Sequence, residues 1–249
     1  MYLYNYPKLY PGILVKRYKR FFADIELDTG QLITAHCPNT GPMTGVCQIG
    51  APVLVSYHDN PQRKLKYTWE AIEVTSTNLS ITSPVWVGIN TALPNKLIKI
   101  ALEQHLFPEL PEYQTVRSEV VYGKDNRSRV DFLLSGENGL TYLEVKNTTW
   151  SSDDVAVFPD TETTRGQKHL QELTDILTDR SHNHRAVMLY LINRSDLNKF
   201  SPGDTTDPRY GKLFRLAVEQ GLQVLPCRFE VTPEGVSYLG LAEIILSGF

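Results

Sequence analysis

The sequence predicts two folded parts in tandem: an N-terminal β-barrel, then an α/β domain built on a mixed sheet. Three observations carry this. Over roughly the first 85 residues, short runs rich in β-branched and aromatic residues alternate with Gly, Pro and Asn turns. From Pro94 onward, apolar residues recur at helical spacing instead. The remaining order reads helix, three strands, helix, strand, helix, strand, which is α/β in character. The boundary falls at residue 85, giving parts 1–85 and 86–249.

In the first part, Leu14 to Leu27 reads as one long, partly alternating strand, turned at Asp28-Thr-Gly30 into a return strand from Gln31 to His36. Pro52–Tyr57 and Thr68–Val74 are two more strands, and the set fits an OB-like barrel, although a sandwich gives similar signals. His36 to Gly50, rich in Pro and Gly, is a loop that Asn39 and Thr40 shape near the junction. Thr82 to Gly88 is a linker or an edge.

In the second part, Pro94 opens a helix whose Leu97, Ile98, Ala101 and Leu102 fall on one face. Val116 to Tyr122 is a strand, followed by a hairpin with arms Arg129–Leu134 and Tyr142–Lys146. A helix spans about Arg165 to Thr178, buries Leu170, Leu173, Ile176 and Leu177, and starts on a capping box of Thr164 and Gln167. Ala186 to Ile192 is apolar throughout, as a central strand is. Tyr210 to Gln220 forms a helix ended by Gly221, and Leu222 to Val231 is the last strand. No internal repeat or low-complexity tract is present.

The 249 residues are 41% hydrophobic, enough for a sizeable core, and carry a net charge of −3. That charge excludes a strongly basic nucleic-acid binder, so such binding needs a local patch. Cys37, Cys47 and Cys227 lack the spacing of a zinc site and are expected as buried, reduced thiols. No signal peptide is apparent, and no apolar run reaches a membrane span, so a cytoplasmic location is expected.

The hairpin carries the chemistry. With its turn centred between Glu137 and Asn138, Asp131 stands opposite Glu144, and Glu144 and Lys146 share a face. Cross-strand Cβ atoms lie roughly 4.5–5.5 Å apart, so two carboxylates there share a proton or a cation. A neighbouring lysine makes a divalent metal the simplest answer, and hard oxygen ligands suit Mg²⁺ or Mn²⁺. The competing reading is a pair of solvated strand acids neutralised by Lys146 and Arg129. Gln167 and Arg165 open the second helix, facing the metal site and a phosphate or water there; Gln167 alternatively only caps the helix. His169 is expected to be structural. Lys16, Arg17, Lys19 and Arg20, interleaved with Tyr18, Phe21 and Phe22, are candidate nucleic-acid contacts, against the alternative of a solvated edge. Arg63, Lys64 and Lys66 extend that surface.

The element order and the Asp…Glu-x-Lys pattern resemble the PD-(D/E)XK nuclease superfamily. The resemblance implies Asp131 and Glu144 as metal ligands, Lys146 as the catalytic lysine, and Glu119 as a possible third carboxylate. The proline often found before the first acid is replaced by Val130. Five motifs are similar to those of the sugar fermentation stimulation protein A family. They are Lys16-Arg-Tyr-Lys-Arg-Phe, His36-Cys-Pro-Asn-Thr-Gly-Pro-Met, Ser128-Arg-Val-Asp-Phe, Glu144-Val-Lys-Asn-Thr-Thr and Phe158-Pro-Asp-x-x-Thr-Thr-Arg-Gly-Gln-Lys-His-Leu. That resemblance implies DNA binding, an OB-like first domain and a nuclease-like second one. The expected function is metal-dependent DNA cleavage with Asp131, Glu144, Lys146 and Gln167 as catalytic residues. The alternative is a catalytically silent, sequence-nonspecific DNA-binding regulator linked to sugar (maltose) metabolism.

Overall fold

The computed structural model describes residues 1–76, 78, 81, 83–123, 128–179 and 183–246. The chain opens with β1 (Tyr4–Asn5), β2 (Leu9–Tyr18), β3 (Phe22–Leu27), β4 (Leu32–His36), β5 (Pro52–Tyr57), β6 (Tyr67–Val74) and β7 (Val85–Gly88). Strands β4, β3, β2, β5 and β6 pair in that order, and a parallel contact of β4 with β6 closes the ring. The result is a five-stranded OB barrel around Leu14, Ile25, Ala35, Val53, Val55, Trp69 and Ile72.

Two expectations for this part are corrected. Leu14 to Leu27 is not one strand but a hairpin, with Tyr18 paired to Phe22. Its turn puts Lys19 (φ 48°) and Arg20 (φ 63°) in the left-handed region. Tight hairpin turns need such backbone and usually advertise it with Gly or Asn; here no such residue marks the reversal. The second correction concerns Val85–Gly88, expected as a linker or edge: these residues form β7, which pairs with β6 and meets β15 below at Val231 opposite Trp86. Thr82 lies outside the described residues.

The second part contains α1 (Leu93–Glu103), β8 (Thr115–Tyr122), β9 (Ser128–Gly136), β10 (Gly139–Thr148), β11 (Ser151–Ser152), β12 (Val155–Phe158), α2 (Thr164–Thr178), β13 (His184–Ile192), β14 (Lys199–Pro202), α3 (Pro208–Glu219), β15 (Gln223–Val231), β16 (Gly235–Leu241) and β17 (Glu243–Ile244). Its sheet runs β15-β13-β10-β9-β8, parallel in the first two pairings and antiparallel in the last two, so it is mixed as expected. β1 pairs with β16, tying residue 4 to residue 236. β11, β12, β14 and β17 form a small second sheet that local pattern does not reveal, because its strands have only two to four residues.

Alternation along β13 explains the layering. Val187, Leu189 and Leu191 pack with Leu97, Ile98 and Leu102 of α1, while Ala186, Met188, Tyr190 and Ile192 pack with Leu170 and Leu173 of α2 and Phe214 of α3. The strand is therefore buried on both faces and reads as an unbroken apolar run. No described helix is long and apolar enough to cross a membrane.

Residues 193–196, just after β13, stitch the two parts together. Gly88 N–H donates to the Asn193 carbonyl (3.0 Å), and a Cβ on Gly88 would lie 2.5 Å from the Asn193 side chain. Arg194 grips Asp196 with two bonds of 2.7 and 2.6 Å and donates to the Thr149 carbonyl, while Ser76 donates to Asp196 at 2.7 Å. Burial raises the Asp196 pKa, but the Arg194 and Ser76 hydrogen bonds outweigh it and hold the carboxyl below its usual value. Its stabilisation is present above the unfolded pKa and is lost as pH falls through the folded one. Asp196→Ala strands a buried guanidinium and is expected to cost about 3–5 kcal/mol, read as a lower urea midpoint at unchanged slope. A shift worth under about 1 kcal/mol would show that the pair is dispensable.

Candidate metal centre

The β9–β10 ladder runs from Gly136 opposite Gly139 to Phe132 opposite Leu143, which is the register of a turn centred between Glu137 and Asn138. One step further along lie Asp131 and Glu144. There the Asp131 carboxylate enters the gap between the strands: its Oδ2 accepts the Val145 N–H at 2.7 Å and its Oδ1 accepts from Asn95 of α1 at 2.8 Å. Leu143 and Val145 face the α1 core, so by alternation Glu144 and Lys146 face α2.

Glu144 is only 2% exposed. Its Oε1 accepts from Lys146 Nζ at 2.7 Å and is also bonded to His169 Nδ1. Arg165 Nε donates to His169 Nε2 at 3.4 Å, an arrangement that assigns the ring proton to Nδ1, pointing at Glu144. Burial works against charge on Glu144, but Lys146 and His169 outweigh it and lower its pKa. Burial raises the pKa of Asp131, and the nearby Glu144 charge pushes it further in the same direction. Asp131, Glu144, Lys146, Asn95 and Arg165 line one cavity of about 320 Å³.

Glu144 Oε2 is buried and, among the described residues, has no hydrogen-bond partner. An unmatched carboxylate oxygen at such a position is costly unless a cation or donor meets it. Each Asp131 oxygen retains a second lone pair. The pair therefore fits a hard divalent ion, which Asp131 and Glu144 would hold.

The structure brings Asp131, Glu144, Lys146 and Arg165 together but not every expected residue. Glu119 is exposed on β8 with a left-handed backbone (φ 55°) and is not among the cavity's lining residues. Among the described residues, no group of three or more His, Cys, Asp or Glu is placed to hold a metal. The Gln167 side chain is spent on Asp207, the N-cap of α3, donating to both of its oxygens at 3.0 Å. The expected capping box does not form: Thr163, not Thr164, caps α2 and accepts from Gly166 N–H at 3.0 Å, and Gly166 has no side chain to reach back. Lys16, Lys19 and Arg20 are exposed, but Arg17 turns inward and donates to the carbonyls of Asn39 and Gly41, both at 2.9 Å. Sequence reasoning missed the contact of His169 with Glu144 and that of Asn95 with Asp131. The first had a signal, since His169 lies four residues from Arg165 on the same helix face. Cys37 and Cys227 are buried and Cys47 is half-buried, all as thiols.

Residues 15–89 match the family described as the SfsA N-terminal OB domain, and residues 92–235 match the sugar fermentation stimulation protein RE domain. A sugar fermentation stimulation protein homolog from Rippkaea orientalis is 62% identical over 98% of this chain and 97% of its own. One from Picosynechococcus is 60% identical over 97% of this chain and 93% of its own. A solved structure of Pyrococcus furiosus SfsA in complex with Ca²⁺ shares the fold, with a TM-score of 0.83 at 23% identity, covering 98% of this chain and 99% of that one.

The unmatched oxygen generates a prediction. Millimolar Mg²⁺, Mn²⁺ or Ca²⁺ at pH 7 raises the apparent melting temperature, and saturation to one hundred times Kd contributes about 2.7 kcal/mol. Asp131→Asn and Glu144→Gln abolish the shift; its survival in both would place the ion elsewhere.

Proposed function

This chain belongs to the sugar fermentation stimulation protein family, and on that premise we propose that it is a divalent-metal-dependent phosphodiesterase acting on DNA. The observation that carries the proposal is Glu144 Oε2, buried without a partner among the described residues, on a side chain that lines one cavity with Asp131, Lys146 and Arg165. Residues 1–85 would hold the strand and residues 86–249 would cut it. Asp131 and Glu144 would bind Mg²⁺ or Mn²⁺. When bound, the ion supplies a more acidic water and neutralises charge on the scissile phosphate.

The protein's own groups do the rest. Lys146 lines the cavity beside Glu144, where it orients the attacking water and meets the charge that develops on phosphorus-bound oxygen. His169 fixes Glu144 Oε1, so that Oε2 is the oxygen left to face the ion. Asn95 and the Val145 N–H each hold one Asp131 oxygen, leaving a second lone pair on each for the ion. Arg165 lies at the mouth of the same cavity, where a guanidinium binds a phosphate oxygen. Water oxygen bonds to phosphorus and releases a proton to solvent, the phosphorus–oxygen ester bond breaks, and the leaving oxygen takes a proton from solvent. Gln167 acts through Asp207, holding the first turn of α2 and hence Arg165 and His169 in place.

Purified protein incubated with single- and double-stranded DNA and Mg²⁺ or Mn²⁺ is expected to cleave it. Lys146→Ala is expected to lower the rate by about 10²–10³-fold, and Asp131→Ala to abolish metal-dependent products. Cleavage that persists in both variants would expose a contaminating enzyme. Retention of DNA with no metal-dependent product would assign a silent binding protein instead.

A further inference from the structure

Beside the carboxylate cavity lies a second cleft, of about 380 Å³, between the barrel and the first turn of α1. Arg63, His36 and His58 enter it from the barrel, and Lys96 from α1. Arg63 spends one donor on Thr68 (3.0 Å), and Lys96 sits 4.4 Å from the centre of the Tyr4 ring. Among the described residues, neither cation is ion-paired to a carboxylate.

One acid, Glu70, lines the cleft, and both its oxygens are engaged: one by Ser56 at 2.6 Å, the other by Asn90 at 2.7 Å. Ser56 gives its proton to Glu70, so it receives one from His58 Nε2 at 3.1 Å. Burial, and then Arg63, hold both histidines below their usual pKa, so Arg63 and Lys96 supply the positive charge at neutral pH. The dipole of helix α1 adds to it: its first turn has no acid, while Asn90 accepts the Ala92 and Leu93 N–H groups at 3.0 and 3.1 Å. Ala92 borders both cavities. Asn95 reaches Asp131 in one, and its chain neighbour Lys96 lines the other.

We propose that this cleft is a subsite for the phosphodiester backbone of a nucleic-acid strand, one step along from the bond in the carboxylate cavity. The proposal deepens the phosphodiesterase reading and rests on its assignment of DNA as the ligand. Arg63 and Lys96 clamp a phosphate between the two domains, at the positive end of the α1 dipole. The strand thus follows the junction of barrel and nuclease-like domain rather than the exposed Lys19–Arg20 turn.

The test is binding by the full chain in EDTA, so that no cleavage intervenes. Fluorescence anisotropy of labelled single-stranded and duplex DNA is followed from 50 to 200 mM KCl. Arg63→Gln/Lys96→Gln is expected to weaken single-strand binding roughly tenfold and to reduce the log–log salt slope by about 1.4, or 0.7 per lost phosphate contact. Arg63→Lys/Lys96→Arg is expected to retain binding. If the double variant melts early, Lys96→Gln alone, at an exposed position, carries the test with half the change in slope. Unchanged affinity and slope in these neutral variants, with binding lost instead in Lys19→Gln/Arg20→Gln, would overturn the subsite while leaving DNA binding intact. Failure of the unaltered protein to bind either DNA would overturn both readings together.

Discussion

The structure turns on one buried carboxylate. Glu144 sits at 2% exposure on a strand flanked by two others, where an anion is expensive unless each oxygen is met. Lys146 and His169 meet one oxygen; no described residue meets the other. Every feature that places Glu144 therefore bears on the site. The β9–β10 register sets it beside Asp131, the parallel pairing with β13 puts it opposite Met188, and α2 delivers His169. A slip of one residue along β10 would send Glu144 and Lys146 into the α1 core and bring Leu143 and Val145 out in their place.

The barrel contributes to the same region through its long loop. Arg17 braces the loop by holding the carbonyls of Asn39 and Gly41, and the Asn39 side chain accepts the Gly41 N–H at 2.9 Å. Thr91, just before α1, donates to the Pro38 carbonyl at 2.9 Å. Thr91 also lines the carboxylate cavity, so a loop of the barrel and a wall of the site share a hydrogen bond. Charge counting alone assigns Arg17 to the solvent-facing surface; its geometry makes it a strut.

Much of this was legible in the sequence where the information is local. The period-2 runs of the barrel, the helical spacing of Leu97, Ile98, Ala101 and Leu102, and the two-residue turn that aligns Asp131 with Glu144 all depend on neighbours in the chain. What escaped depends on distant partners. Arg17 finds carbonyls more than twenty residues away, and Gln167 finds Asp207 forty residues on. The strands of the small second sheet exist only because β12 meets β14 across α2 and β13. The reversal at Lys19 and Arg20 escaped for the opposite reason: it is local, but residues that seldom adopt left-handed backbone make it.

The pairing of β1 with β16 bears on how the molecule comes into being. Tyr4 and Asn5 have their partners at Val236 and Gly235, more than two hundred positions along the chain. Closing so long a loop costs entropy before any contact repays it, so such a pairing forms late and slowly in folding. The segment ahead of the barrel is thereby held by the far sheet, and the two parts are fastened to each other at their most remote contact.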